Sequence, residues 1–326
     1  MKMFDKVYGV KHQNEDIRAA SRSGGFFTAV SDIVLEEGGV VYGVALNEHF
    51  LAEHRRAETK EIRDTFRGSK YVQADVGDAL KQVEADLKQS KTVLFTGVPC
   101  QVHGLYNYLK LKNISTENLL TVEILCHGAP SPRVWEDFLK NKFDFSSIEA
   151  VDFRDKKNFG WRDHIETVTV KGEEFSSKDY TGLFYSHVIL RESCFNCYYK
   201  KRNRVSDITI GDFWRIENND KPFDDDKGIS LVKINTVKGE KYFNQCANRL
   251  IIREYPIATC IQPALDHNYD APKNRSDFWN EYNGENILEL ADKYTVYKEP
   301  VVDNSFKKRI KTLLKKTVKK TMKAFR

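Results

Sequence analysis

Cysteine is absent from the first 99 residues of this chain, and only six occur among all 326. So sparse a set, with no export signal, argues against a disulfide scaffold and for reduced thiols or a metal. No stretch approaches the roughly 18 apolar residues needed to cross a bilayer. The opening residues, Met1 to Tyr8, hold no apolar signal core, so the expectation is a cytoplasmic protein. Acidic residues are missing from 306–326, which carry ten Lys/Arg. Subtracting those ten from the overall +5 leaves −5 on the rest of the chain. A mildly acidic body with one basic end does not make a nucleic-acid-binding surface, and none is expected. There is no internal repeat.

What is present is an alternation of apolar runs and amphipathic segments. Phe26 to Leu35 has helical spacing after a Ser/Gly-rich turn and stops at Gly38-Gly39. Val40–Leu46 reads as a buried strand. Glu53–Arg67 is highly charged and reads as a surface helix or loop. A helix is expected over 77–90. Thr92–Thr96 reads as a strand running into Gly97-Val98-Pro99-Cys100, followed by a helix from about Val102 to Leu111. Leu119–Leu125 is a further strand, ending at Cys126-His127-Gly128, and a helix follows Pro132. From about 148 strands dominate: Ile148–Arg154, Ile165–Val170, Asp207–Ile210 and Ile229–Val237. Helices are expected near Leu183–Leu190 and over 240–252, and a loop over 262–276. The pattern predicts a mixed α/β fold with functional groups at strand ends. It divides into an α/β part (1–147), a β-richer part (148–300) and a basic amphipathic tail (301–326).

Four cysteines in three segments invite a joint reading. Cys194 and Cys197 have the two-residue spacer that lets both sulfurs face one metal. A reduced uncommitted pair, or half a zinc knuckle, fits that spacing as well. Cys100 and Cys126 stand beside glycine and proline at the ends of apolar runs; they complete a four-thiolate set only if the fold brings them to the pair. Cys246 and Cys260 lack such context and read as buried apolar residues. Ser23-Gly24-Gly25 before a helix can cradle a phosphate or simply cap the helix. Arg154, Trp161 and Arg162 can receive an anionic, ring-bearing molecule or form a charged hairpin loop.

Six strings occur in order: Ser21 to Phe27, Gly68 to Gln73, Phe95 to Gln101, Cys126 to Pro132, Cys194 to Cys197, and Ser206 to Trp214. Together they resemble the beta subunit of the coenzyme F420 (deazaflavin) hydrogenase/dehydrogenase family, over about residues 7 to 280. The resemblance implies FAD beside a 4Fe–4S cluster, with Cys100, Cys126, Cys194 and Cys197 as cluster ligands. It implies an oxidoreductase exchanging electrons with a partner such as a ferredoxin and with a small-molecule substrate, coenzyme F420 among the candidates. It assigns Ser23, Gly24 and Gly25 to the FAD pyrophosphate, and Thr96 and Gly97 to the flavin ring. Lys70 is the candidate for tuning the flavin as a nearby cation, with Ser69, Tyr71 and Gln73 around it. Asp207, Thr209, Gly211 and Asp212 are candidate cofactor contacts. His127 is a candidate proton donor, or a hydrogen-bonding neighbour of cluster sulfur. Many relatives carry an N-terminal ferredoxin-like segment rich in cysteine that has no counterpart here. Members in bacterial polysaccharide gene clusters suit this chain.

Along 306–326, Phe306, Ile310, Leu313, Leu314, Val318, Met322 and Phe325 recur at mostly helical intervals opposite lysines. Such a helix can lie on an anionic membrane surface, giving a peripheral location on the inner face. A solvated arm is the plainer alternative. Two competing readings remain: a non-redox membrane-peripheral assembly protein that retains the fold, and a zinc-stabilised transferase.

Overall fold

Three apolar runs separated by amphipathic helices build the centre of a mixed α/β fold. The computed structural model describes residues 6–297; the basic tail expected to be helical lies outside them. In chain order the strands are β1 (Lys6–His12), β2 (Val40–Leu46), β3 (Ala52–Ala57), β4 (Val93–Gly97), β5 (Leu119–Ile124), β6 (Ile148–Asp152), β7 (Glu166–Val170), β8 (Glu173–Ser177), β9 (Ile208–Asp212), β10 (Ser230–Ile234) and β11 (Leu250–Pro256). Eight form one sheet in the order β11-β1-β10-β9-β5-β4-β2-β3, and β6-β7-β8 form a second. Neighbours among β2, β4, β5 and β9 are parallel. The flanking strands are antiparallel. The large sheet thus draws strands from both sides of residue 147.

Helices cover both faces. Phe26–Glu36 and Val237–Gln245 pack one side through Phe26, Val30, Val34 and Phe243. Ala79–Lys88 and Pro99–Leu111 pack the other through Val83, Val102, Leu105 and Leu109. A separate core around Trp135, Phe138, Tyr180, Leu183 and Leu290 joins the small sheet to the helices Pro132–Lys142, Asp179–Ser186 and Ile287–Tyr294.

Three expectations are corrected. Ala52–Ala57 is a strand, not a helix or loop; as the outermost strand of the sheet it tolerates the charges that hide its pattern, and such charges discourage edge-to-edge pairing. Lys6–His12, which reads as a polar start, is a strand between β10 and β11, with Val7 and Val10 fully buried. The helix expected over 240–252 ends at Gln245, and β11 begins at Leu250. The loop over 262–276 also contains one helical turn, Pro263–Asp266.

Asp207 closes the amino end of β9. Its Oδ2 accepts from Thr121 N at 2.9 Å and Thr121 Oγ1 at 3.0 Å, and its Oδ1 from Thr236 Oγ1 at 2.6 Å. Hydrogen bonds to a buried carboxylate are worth about 1.5–3 kcal/mol each, and losing them strands a backbone donor. Asp207→Ala should therefore lower stability by about 3–4 kcal/mol, read from the urea midpoint. A loss under about 1 kcal/mol would show that this network is not what joins β5 to β9.

Candidate functional site

β4 and β5 run parallel with Gly97 beside Glu123, so the segments that follow them emerge at the same sheet edge. At Gly97 an added Cβ would stand 3.2 Å from His54 Nε2 and 3.3 Å from Gln101 Oε1. Pro99 takes the first helical position, where no N–H is needed. Cys100 follows in the first turn of the helix Pro99–Leu111, open to solvent as a residue while its thiol is partly desolvated by the surrounding segments. Gln101 locks this turn by accepting from Val98 N at 3.4 Å and donating to Ala74 O at 3.1 Å. Cys126 lies two residues beyond β5.

Several ties bring the Cys194–Cys197 segment to the same edge. Arg191 N donates to Ala129 O at 3.0 Å. Lys200 Nζ donates to His127 O at 2.8 Å, and Tyr199 OH meets His103 Nδ1 at 2.6 Å. Arg204 pairs with Glu123 of β5, and its Nη1 holds Tyr199 O at 2.9 Å and Lys201 O at 3.1 Å.

The thiols consequently act on one another. Burial, then the charges of Cys197 and Cys194, raise the Cys100 thiol. Burial, then Cys194 and Cys100, push Cys126 up to about 12. Among the described residues no three His, Cys, Asp or Glu side chains are close enough to share one metal ion. With 2.3 Å bonds a tetrahedral zinc needs sulfurs about 3.8 Å apart. A cubane contributes its own iron and sulfide and takes thiolates from a wider ring. Cys100 and Cys126 both feel the charge of Cys194, so the three segments that carry these thiols lie near one another. Cys246 and Cys260 are buried elsewhere, their thiols on Tyr242 O and Ile257 O.

Next to β5, the end of β9 carries Asp212. Arg154 Nη1 donates to its Oδ2 at 2.6 Å and Trp161 Nε1 to its Oδ1 at 2.8 Å. Arg154 also donates to Trp161 O and Asp163 O, and its guanidinium lies 4.8 Å from the Trp214 ring. Burial would raise the Asp212 carboxyl, but the Arg154 charge and these bonds outweigh it and hold it below the ordinary carboxylate value. His164 Nδ1 meets Tyr185 OH; burial and then Arg154 lower its pKa to about 3, so the ring is neutral near pH 7. His127 Nε2 stands 2.7 Å from His187 Nε2, with its ring 4.2 Å from Tyr269; burial and then His187 lower it to about 3.

Cations border this aromatic basin. Lys70 Nζ donates to Thr65 O, Phe66 O and Arg67 O at 3.2, 3.1 and 2.9 Å, and burial lowers it to about 7. Lys156 Nζ donates to Arg18 O, Ser21 O and Ser23 O at 2.7, 3.0 and 3.3 Å. Burial, then Arg22 and Arg18, bring it to about 7. Arg22 Nε and Nη2 are buried with no acceptor. Burial, then the neighbouring Arg154, lower its pKa.

Of the residues singled out in the sequence, Thr96, Gly97, Cys100, Cys126, His127, Gly211 and Asp212 share this edge with Cys194 and Cys197. Tyr71 borders the basin, its ring 4.9 Å from Phe184, and Gln73 N pairs with Pro130 O just after the Cys126 segment. Ser69 is half-buried beside Lys70. Lys70 itself is a cap on three carbonyls, not a free ammonium. Thr96 Oγ1 is turned into the sheet, donating to Tyr42 O at 2.9 Å.

Asp207 and Thr209 do not join the group. Asp207 lies at the opposite end of β9, about 16 Å from Asp212 at the usual rise, and Thr209 Oγ1 donates to the buried Glu123. The Ser23–Gly25 turn is seated on β1 and β10: Ser23 Oγ donates to Ile229 O, Gly24 N to Ser230 Oγ, and a Cβ on Gly24 would lie 2.0 Å from Val10 O. The Gly24 N–H is therefore not free for an anion. Arg22, Lys156, His164 and the Glu123–Arg204 pair carry no sequence signal of their own, because only the folded chain reveals which polar groups are buried and which have partners.

The model of a family described as the C-terminal part of the coenzyme F420 hydrogenase/dehydrogenase beta subunit matches residues 90–259. No curated protein matches the chain. Among matching solved structures is a chain of the xenon-derivatised F420-reducing NiFe hydrogenase complex from Methanosarcina barkeri. It is 17% identical, the match covers 89% of this chain and 91% of that one, and the TM-score is 0.56. At that identity the likeness establishes a shared fold.

Lys156 gives a signed pH dependence. An unfolded lysine titrates near 10.5, and in the fold Lys156 titrates near 7. Its contribution to stability is thus fully present above about 10.5 and is lost as the pH falls toward 7. Relative to Lys156→Met, the wild type should gain stability as the pH rises from 7 to 10, seen in chemical-denaturation midpoints. A constant difference between the two would contradict the lowered value.

Proposed function

The chain belongs to the coenzyme F420 hydrogenase/dehydrogenase beta-subunit family, and on that premise we propose that it is an oxidoreductase holding FAD and a 4Fe–4S cluster. It passes electrons between a protein carrier such as a ferredoxin and a small molecule. The substrate is coenzyme F420 or an intermediate of surface polysaccharide synthesis. The observation that carries this reading is that hydrogen bonds from Arg191, Lys200 and Tyr199 bring three distant cysteine segments to one sheet edge beside a cation-rimmed aromatic basin. The neighbouring fold comes from a hydrogenase complex, which supports a protein partner.

In this reading Cys100, Cys126, Cys194 and Cys197 hold the cluster. Gly97, Gly211, Asp212, Ser69, Tyr71 and Gln73 border the flavin. The first turn of the helix Phe26–Glu36, which has no side-chain cap and no acid, faces its phosphates. When bound, the cluster exchanges single electrons and FAD electron pairs, so together they join one-electron and two-electron carriers. Lys70, fixed on its three carbonyls and titrating near 7, supplies positive potential at a fixed place when protonated. His127 holds a proton between its Nε2 and that of His187. The tail 306–326, through its lysines, holds the protein at the inner membrane face.

Anaerobically purified protein should be brown and contain flavin with about four iron and four sulfide per chain. Cys100→Ser and Cys197→Ser should each lose most of the iron, while Cys246→Ser, far from the site, keeps it. Colourless, iron-free wild type would favour the assembly-protein reading; one zinc per chain without flavin would favour the transferase.

The location is tested separately by co-sedimentation with vesicles. Full-length protein should pellet with phosphatidylserine-containing vesicles and not with pure phosphatidylcholine. Deleting 306–326 should abolish this, since each basic residue contributes about 1 kcal/mol at an anionic surface. Equal pelleting of both forms would reject the membrane role of the tail.

A further inference from the structure

The buried polar groups around the basin are nearly all matched. Arg154 has Asp212 and two carbonyls; Lys156 and Lys70 each have three carbonyls. Single atoms of His54, Glu123, Arg204 and Arg275 lack a partner, and among the described residues Arg22 stands out because two of its nitrogens do. Its Nε and Nη2 are out of solvent and meet no acceptor. Among the described residues it makes no ion pair. These two nitrogens form one edge of the guanidinium, the edge that grips two oxygens of an anion in parallel.

Burying an unpaired cation costs several kcal/mol, and the surroundings increase that cost. Arg154 repels Arg22, and the carboxylates that attract it, Asp152 and Asp212, are not bonded to it. The edge is also held in place. Lys156 clamps the carbonyls of Arg18, Ser21 and Ser23 on either side of Arg22. Gly228 lies so close to this clamp that a Cβ there would be 2.6 Å from Ser23 O and 3.2 Å from Lys156 Nζ. Four residues after Arg22 the helix Phe26–Glu36 begins without a side-chain cap, adding partial positive charge to the same corner.

We propose that Arg22 is the anchor of a phosphate-binding subsite, its Nε–Nη2 edge gripping a phosphate ester, with Lys156 positioning the turn that carries it. A phosphate suits the corner better than a carboxylate because its second negative charge answers the surplus of Arg22, Arg154, Lys156 and Lys70 over Asp152 and Asp212. The phosphate belongs to the cofactor's pyrophosphate or to a phosphorylated substrate. The subsite follows from charge and burial, and does not rest on the cluster.

The test uses full-length wild type, Arg22→Met and Arg22→Lys, with thermal unfolding followed in the presence of inorganic pyrophosphate or succinate, before and after saturation with FAD. Without anion, R22M should melt at or above wild type, because an unpaired buried charge is gone. With pyrophosphate, wild type should overtake it, with binding about tenfold to a hundredfold tighter. R22K, keeping the charge without the fork, should fall between. If FAD saturation abolishes the pyrophosphate response and R22M weakens FAD binding, the phosphate is the cofactor's. If the response survives FAD, the phosphate is a substrate's. A wild type insensitive to pyrophosphate and an R22M with unchanged FAD affinity, an equal response to succinate, or an R22M that melts lower and responds as wild type does would each overturn the subsite. Iron content, measured on the same samples, should not change with R22M, so failure of the cluster proposal is read independently.

Discussion

The contact between Arg204 and Glu123 decides whether this fold has a site at all. Their side chains are 1% and 0% exposed, so both charges are out of solvent. Glu123 lies three residues before Cys126. Arg204 grips the carbonyls of Tyr199 and Lys201 just after Cys197. One charge contact therefore ties segments that are about eighty residues apart in the chain. Glu123 also accepts from Thr209 of β9, which draws the strand ending in Asp212 into the same network. Removing one member of such a pair leaves a buried charge alone, at roughly 3–5 kcal/mol. A loop rich in polar residues is thereby given a defined position beside two strand ends.

The two ends of the parallel strands differ in how their polar groups are matched. At the amino end, Asp207, Thr121, Asn235 and Thr236 form a closed set in which every carboxylate oxygen has a donor. Nothing there is left to address a ligand. At the carboxyl end unmatched buried atoms remain, two of them on Arg22. Parallel strands place chain reversals and helix amino ends on that side, so this asymmetry is what their topology favours.

Much of this was legible in the sequence, and the limits are physical. The parallel strands are continuous apolar runs because both sheet faces are covered, and such runs are read easily. β3, with Glu53, His54, Arg55 and Arg56, carries an edge strand's charges and so resembles a surface helix. The cysteines, glycines and Asp212 could be picked out because their residue types have few roles. Asp207 was picked on the same grounds and lies at the wrong end of its strand, since residue type does not reveal which end of β9 faces a ligand. Arg22 stood in a loop whose glycines drew attention, yet the glycines pack against β1 and β10 and the arginine faces the basin. A buried, unmatched donor is a property of three-dimensional surroundings, and no spacing rule reports it.

Occupancy and protonation are coupled in this site. His164 is neutral near pH 7, and Lys70 and Lys156 are poised to lose their charge there, because burial outweighs the pull of Asp152 on Lys70 and of Asp212 on His164 and Lys156. An anionic occupant reverses that balance. Its field favours the protonated lysines, so binding draws protons in and tightens the clamp that Lys156 places on the turn before the helix Phe26–Glu36. The lysines touch backbone carbonyls, not the ligand position itself, so their effect is exerted through the geometry of that turn and through the field it carries. On the proposed phosphate subsite, an arriving anion would thus act on side chains that already hold the turn through backbone carbonyls.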